Sequence, residues 1–193
     1  MAECSVEKLN VSMRNNWLLV GVICGVVCSF ALSANAVAQQ QEIYPNPLVA
    51  EVVAAGAVSL DVMYDVSDAD ATLTGIGVRV HFDSSKLTFD QVNETLAFGR
   101  LFDPTLLVSE ADTSDHDGDA ATDQFILLAW EEAGGAWPGS LPETLATVHF
   151  VGAGDFTDST SVRFSASDLA PGYSFSSEVA TVQSELIFAD SFE

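Results

Sequence analysis

A recurring two-residue period constrains this chain more than any other feature. Val58, Leu60, Val62, Tyr64 and Val66 alternate with Ser59, Asp61, Met63 and Asp65. Ile76, Val78, Val80 and Phe82 alternate in the same way with Gly77, Arg79 and His81. Successive side chains of an extended segment point to opposite faces of a sheet, so each stretch reads as a strand with one buried and one wet side. Leu87 with Phe89, Ala146 with Val148 and Phe150, and Val162 with Phe164 repeat the pattern, and Val179 to Val182 supplies a closing strand. Phe125 to Trp130 is apolar at every position, as expected of a central strand covered on both sides. No long stretch keeps an apolar stripe at helical period, although Asn93 to Leu101 has room for a helical turn or two. Many short strands joined by Gly, Asp, Ser and Pro turns predict an all-β chain folded as a single β-sandwich domain.

Residues 1–38 read as a signal peptide. The apolar run from Trp17 to Leu32 is shorter than the ~20 residues of a confident membrane span. Ala36-Val37-Ala38 then offers small side chains before Gln39-Gln40-Gln41, which suits cleavage after Ala38, with Ala34-Asn35-Ala36 as the alternative. The remaining chain divides into a Pro-bearing spacer over 39–47, the sandwich over 48–184 and a tail over 185–193. The expected product is secreted or held at the cell surface and has no membrane span after cleavage. Cys4, Cys24 and Cys28 all lie in the leader, so the domain forms no disulfide and its stability must come from its core. The tail, Ile187-Phe188-Ala189-Asp190-Ser191-Phe192-Glu193, resembles a short acidic-aromatic ending found on exported proteins of some proteobacteria. A frayed last strand is the other reading.

Charge removes several function classes. The formal net charge is -22, and losing the leader takes away Lys8, Arg14, Glu3 and Glu7, which leaves it unchanged. Only Arg79, Lys86, Arg100 and Arg163 remain basic, which argues against nucleic acid or anionic lipid as a partner, since both need clustered Lys and Arg. Most of the carboxylates are expected on a solvated surface. The mature chain has no Gly-x-Ser-x-Gly elbow, no cysteine, no phosphate loop and no histidine cluster at metal spacing. The expectation is a binding protein and not an enzyme.

Three places carry candidate binding chemistry. The loop around Asp112, Asp115, Asp117 and Asp119 concentrates oxygen donors, as a hard cation such as Ca2+ requires. It fails the EF-hand pattern: with Gly118 at the sixth position, Thr113 takes the first place and Gln124 the last. It fits either a calcium loop of another kind or a solvated acidic turn. Trp137, in Gly134-Gly135-Ala136-Trp137-Pro138-Gly139, reads either as an indole presented by a flexible loop or as a cap on the end of the sandwich. Gly77, Arg79 and His81 share the outward side of their strand and form a candidate partner face.

The order of the segments resembles cohesin modules over roughly residues 48–184. Gly75-Ile76-Gly77-Val78-Arg79-Val80-His81-Phe82-Asp83 and the following Leu87-Thr88-Phe89-Asp90-Gln91-Val92 are similar to the family's strand ending in an aromatic-Asp pair, turn and Leu-bearing strand. Phe125-Ile126-Leu127-Leu128-Ala129-Trp130 and Leu145-Ala146-Thr147-Val148-His149-Phe150 resemble two later family strands. The resemblance implies a jelly-roll sandwich that docks a calcium-loaded dockerin module in cellulose-degrading complexes. This chain carries a single such module, with no dockerin-like repeat. A carbohydrate-binding module of similar form, with polysaccharide as its partner, is the second reading, and a hydrolase the third. No aromatic stripe of the kind a sugar binder needs stands out among Tyr44, Tyr64, Trp130, Trp137 and Tyr173.

Overall fold

The alternation is realised as two facing sheets. The structure, a computed structural model, describes residues 38–93 and 95–185. Its strands are β1 (Gln40–Asn46), β2 (Val49–Val52), β3 (Ala57–Val66), β4 (Thr72–Leu73), β5 (Gly75–Phe82), β6 (Leu87–Asn93), β7 (Glu110–Ala111), β8 (Gln124–Glu131), β9 (Trp137–Pro138), β10 (Glu143–Gly152), β11 (Ser159–Leu169), β12 (Ser174–Ser177) and β13 (Ala180–Ser184). One sheet has the order β12-β1-β3-β10-β6 and the other β2-β13-β11-β5-β8-β7, while β4 pairs with β9. The chain changes sheet at nearly every connection, β1 to β2 to β3 and β10 to β11 to β12 among them. The sandwich is the one the residue pattern predicts, and this back-and-forth crossing gives it the jelly-roll form that the resemblance implies.

The core lies between the two inner faces. Val58, Leu60, Val62 and Tyr64 of β3 and Val148 and Phe150 of β10 are buried against Ile76, Val78, Val80 and Phe82 of β5 and Ile126 and Leu128 of β8. Phe82 and Phe150 meet across the layers with ring centroids 5.2 Å apart. Each such side chain contributes about 1.5–3 kcal/mol by leaving water, which lets a domain without disulfides hold together.

Several expectations are corrected. Residues 40–46 are not a spacer: β1 sits between β3 and β12 and carries the buried Gln41 and Ile43. The Gln41 amide nitrogen donates to Tyr64 Oη at 2.8 Å and to the Gly75 carbonyl at 2.9 Å. Its amide oxygen accepts from the Ala170 N–H at 2.7 Å. Gly75 itself sits at φ 131°, and a Cβ there would lie 2.0 Å from the Trp130 carbonyl oxygen, so only glycine fits. No helix forms among the described residues, and the segment after β6 runs as turns and irregular chain. The Phe125–Trp130 stretch is less central than its composition predicts, because only the two-residue β7 flanks β8 on one side. The leader and the end of the tail, residues 186–193, lie outside the described residues.

Candidate functional site

The outward face of the six-stranded sheet carries Gly77, Arg79 and His81. Register places Arg163 of β11 opposite His81 of β5, and Ser165 opposite Arg79. On the other flank His81 faces Phe125 of β8, Arg79 faces Leu127, and Gly77 faces Ala129. Alternation turns all of these away from the sandwich core, and the surface they form differs along its length.

At the Gly77 end the face is closed by the end of β11. A Cβ on Gly77 would stand 2.2 Å from Ser167 Oγ, so this glycine is a packing position and is not an exposed contact. Beside it a cleft of about 300 Å³ is lined by Gly77, Leu101, Ala129, Ser167 and Asp168, among others. In the middle, Arg79 is half-buried. Its guanidinium donates to the Ala166 carbonyl at 2.8 Å and lies 5.6 Å from the Phe125 ring centroid. Next to it Leu127 is 38% exposed. The segment from Leu101 to Ser109 follows the free side of β8, from the Leu101 N–H bonded to Ala129 O to the Glu110–Phe125 pair. It carries Leu101, Leu106 and Val108 at 62%, 75% and 69% exposure. Leu101 lines the cleft beside Gly77 and Ala129, and Leu127 stands opposite Arg79 in the sheet.

The third region is the acidic loop, which folds over the His81 row. Asp112 N–H bonds back to Asp123 O at 2.8 Å, and Asp115 and Gly118 turn the chain with φ 52° and 73°. His81 is thereby fully buried, where the sequence predicts an outward surface residue. His81 Nδ1 stands 3.0 Å from Asp112 Oδ2, and both side chains are 0% exposed. One oxygen of Asp117 joins them within a 4.8 Å cluster. His81 Nε2 pairs with Ser165 Oγ at 2.7 Å. Burial lowers the His81 pKa and outweighs the nearby Asp117 and Asp112 charges, which act to raise it. Burial acts to raise the Asp112 pKa, but hydrogen bonds from the His116 side chain and backbone overcome it and hold the carboxyl below the usual range.

Of the four predicted metal-loop aspartates, the fold brings Asp112 and Asp117 together and leaves the others apart. Asp115 is exposed at the turn, and Asp119 points to Arg163 Nη1 at 3.5 Å. The residue that sequence reasoning missed as their companion is His81, which lies on another strand and reads alone as a surface histidine.

Trp137 is not presented to solvent. It is 0% exposed, pairs through β9 with Leu73, and packs on Tyr64 and Trp130 with centroids 4.8 and 6.3 Å away. Its indole closes the end of the core, the second of the two readings the sequence allows. Trp130 is buried as well, with Nε1 donating to the Leu96 carbonyl at 2.8 Å.

No protein-family model matches the chain, and no curated protein matches it. Solved structures do. The CaCohA2 module of Clostridium acetobutylicum, in a dockerin complex, matches with TM-score 0.54 at 12% identity, over 76% of this chain and 100% of that one. The seventh ScaB type I cohesin of Pseudobacteroides cellulosolvens matches with TM-score 0.51 at 8% identity, over 76% and 92%. A type I cohesin–dockerin complex from Clostridium thermocellum matches with TM-score 0.51 at 11% identity, over 76% and 99%. The chain is a jelly-roll sandwich, and its fold is that of cohesin modules.

Proposed function

We propose that this chain is an exported, non-catalytic cohesin-like module that docks a dockerin-like protein through the outward face of β5 and β8 and the 101–108 segment. The observation that carries the reading is the exposed Leu127 paired with Arg79 and flanked along β8 by a segment with exposed Leu101, Leu106 and Val108, on a fold similar to that of solved cohesins in complex with dockerins. Arg79 supplies a charge-assisted donor at the edge of that patch. The strongly acidic surroundings favour a partner with basic or neutral side chains. A link to polysaccharide breakdown is part of the same proposal. Sugar binding by this chain itself is the weaker reading, because Trp130 and Trp137, the broadest rings a saccharide could stack on among the described residues, are buried along with Tyr64.

Capture of dockerin-containing proteins from the exported fraction of the source organism, followed by calorimetry on the captured module, tests the proposal. Leu127→Asp should weaken binding at least tenfold, and Arg79→Ala by about 1 kcal/mol or more, with melting temperature little changed. Undiminished affinity in both variants would move the partner off this face.

A further inference from the structure

We infer that His81, Asp112 and Asp117 form a binding site for one divalent transition-metal ion of the zinc type, which ties the acidic loop to the sheet. The site stands on an imidazole nitrogen that has no other partner. His81 is 0% exposed, and its Nδ1 makes no hydrogen bond, although Asp112 Oδ2 lies only 3.0 Å away. The angles are wrong for donation, yet two donors sharing one ion at about 2.1 Å sit about 3.0–3.4 Å apart. Nε2 is taken up by Ser165 Oγ at 2.7 Å, which leaves Nδ1 as the ring nitrogen facing the carboxylate oxygens. A cation between them would satisfy the ring nitrogen and the carboxylates together.

The carboxylates are held as ligands are held. Asp112 accepts from the His116 backbone N–H at 3.1 Å and pairs with His116 Nδ1 at 2.6 Å through its other oxygen. Asp117 Oδ2 accepts from the Thr122 hydroxyl at 2.7 Å and lies 3.4 Å from Arg163 Nε. Such outer partners fix the orientation of metal-ligating side chains. The Asp112 and Asp117 side chains are 0% and 1% exposed, and carboxylates removed from water need compensating charge. Arg163, shared between Asp117 and Asp119, provides one positive charge for both, while Arg79 is turned to the Ala166 carbonyl. The titratable groups beside Asp112 are the imidazoles of His81 and His116. One nitrogen with two carboxylates is a donor set for zinc or a similar ion. Calcium takes six to eight oxygens and would gain little from the imidazole.

The test uses the purified full chain, stripped with chelator, desalted and titrated calorimetrically with Zn2+ and with Ca2+ at raised ionic strength, which suppresses loose binding to the acidic surface. The expected result is one Zn2+ per chain, bound more tightly than Ca2+, with a higher melting temperature and, for Co2+, a visible ligand-field absorption. His81→Asn and Asp117→Asn should each weaken Zn2+ about tenfold or more, whereas Asp115→Asn, outside the cluster, should stay within about twofold. If His81→Asn fails to fold, Asp117→Asn, on the loop, decides the matter. Absence of stoichiometric Zn2+, tighter Ca2+ than Zn2+, or undiminished Zn2+ in folded Asp117→Asn would overturn the inference. None of these readouts involves a protein partner, so they succeed or fail independently of docking.

Discussion

Replacing Gln41 with leucine should be among the most damaging single changes to this domain that leave its volume nearly constant. The Gln41 side chain joins β1 to Tyr64 of β3, to Gly75 at the start of β5 and to Ala170 after β11 through three hydrogen bonds of 2.7–2.9 Å. Gln41 and Tyr64 are 0% exposed and Ala170 4%, so water does not replace the lost partners. A buried polar group left unsatisfied costs about 1–3 kcal/mol, and three such groups at the middle of that range cost about 6. The leucine returns about 2–3 kcal/mol through apolar burial, for a net loss of about 3–4 kcal/mol. In a domain of this size that corresponds to a melting temperature lower by roughly 10 °C. Urea unfolding followed by the fluorescence of Trp130 and Trp137 measures it, with Tyr64→Phe and the double variant completing a mutant cycle. A loss below about 1 kcal/mol, or strict additivity with Tyr64→Phe, would refute the claim that this glutamine is a junction between the two sheets.

Trp137→Ala should cost about 3–5 kcal/mol, the range for emptying a large aromatic site, while leaving partner affinity unchanged when measured on the folded fraction. A selective loss of binding at constant melting temperature would return Trp137 to a recognition role. All three tyrosines have pKa values raised above the ordinary 10.0, Tyr64 chiefly by burial and Tyr173 to about 12 by burial and its bond to Asp68. A raised folded-state pKa gives stability that is complete below pH 10 and is lost as the pH climbs toward and past 12. Absorbance titration should therefore find no tyrosine ionising at its ordinary value while the fold persists, and phenolate at pH 10 in folded protein would contradict this. Mass spectrometry of exported protein should give Gln39 as the first residue, one position before β1 begins. A product retaining Trp17 to Leu32 would overturn the expected cleavage.

The legible parts of the fold are those where one physical cause dominates. β3, β10 and β11 have a buried and a wetter side, so the two-residue period survives in their composition; β5 keeps the period in its composition although the acidic loop and the end of β11 cover its outward side. β1 was hidden because Gln41, polar in type, faces inward and is satisfied only by groups far away in sequence, and because Pro45 suggests a spacer. β12, Ser174–Ser177, has almost no apolar pattern and is held by its parallel pairing with β1. The candidate metal site was half legible. Its aspartates stand out as a loop, but nothing local separates Asp112 and Asp117 from Asp115 and Asp119, because the selection is made when the loop crosses the sheet and meets His81. Trp137 misled in the opposite direction, since a Gly-rich setting looks flexible until β9 pairs with β4 and seals the indole over Tyr64.

Amide hydrogen exchange of the chain with and without its captured partner tests the docking claim most directly. Binding should slow exchange in the 101–108 segment and in β8 around Leu127, and leave β1, β3 and β10 of the opposite sheet unchanged. Protection confined to the five-stranded sheet, or to β2 and β13 at the far edge of the six-stranded sheet, would contradict the assigned face and the function built on it.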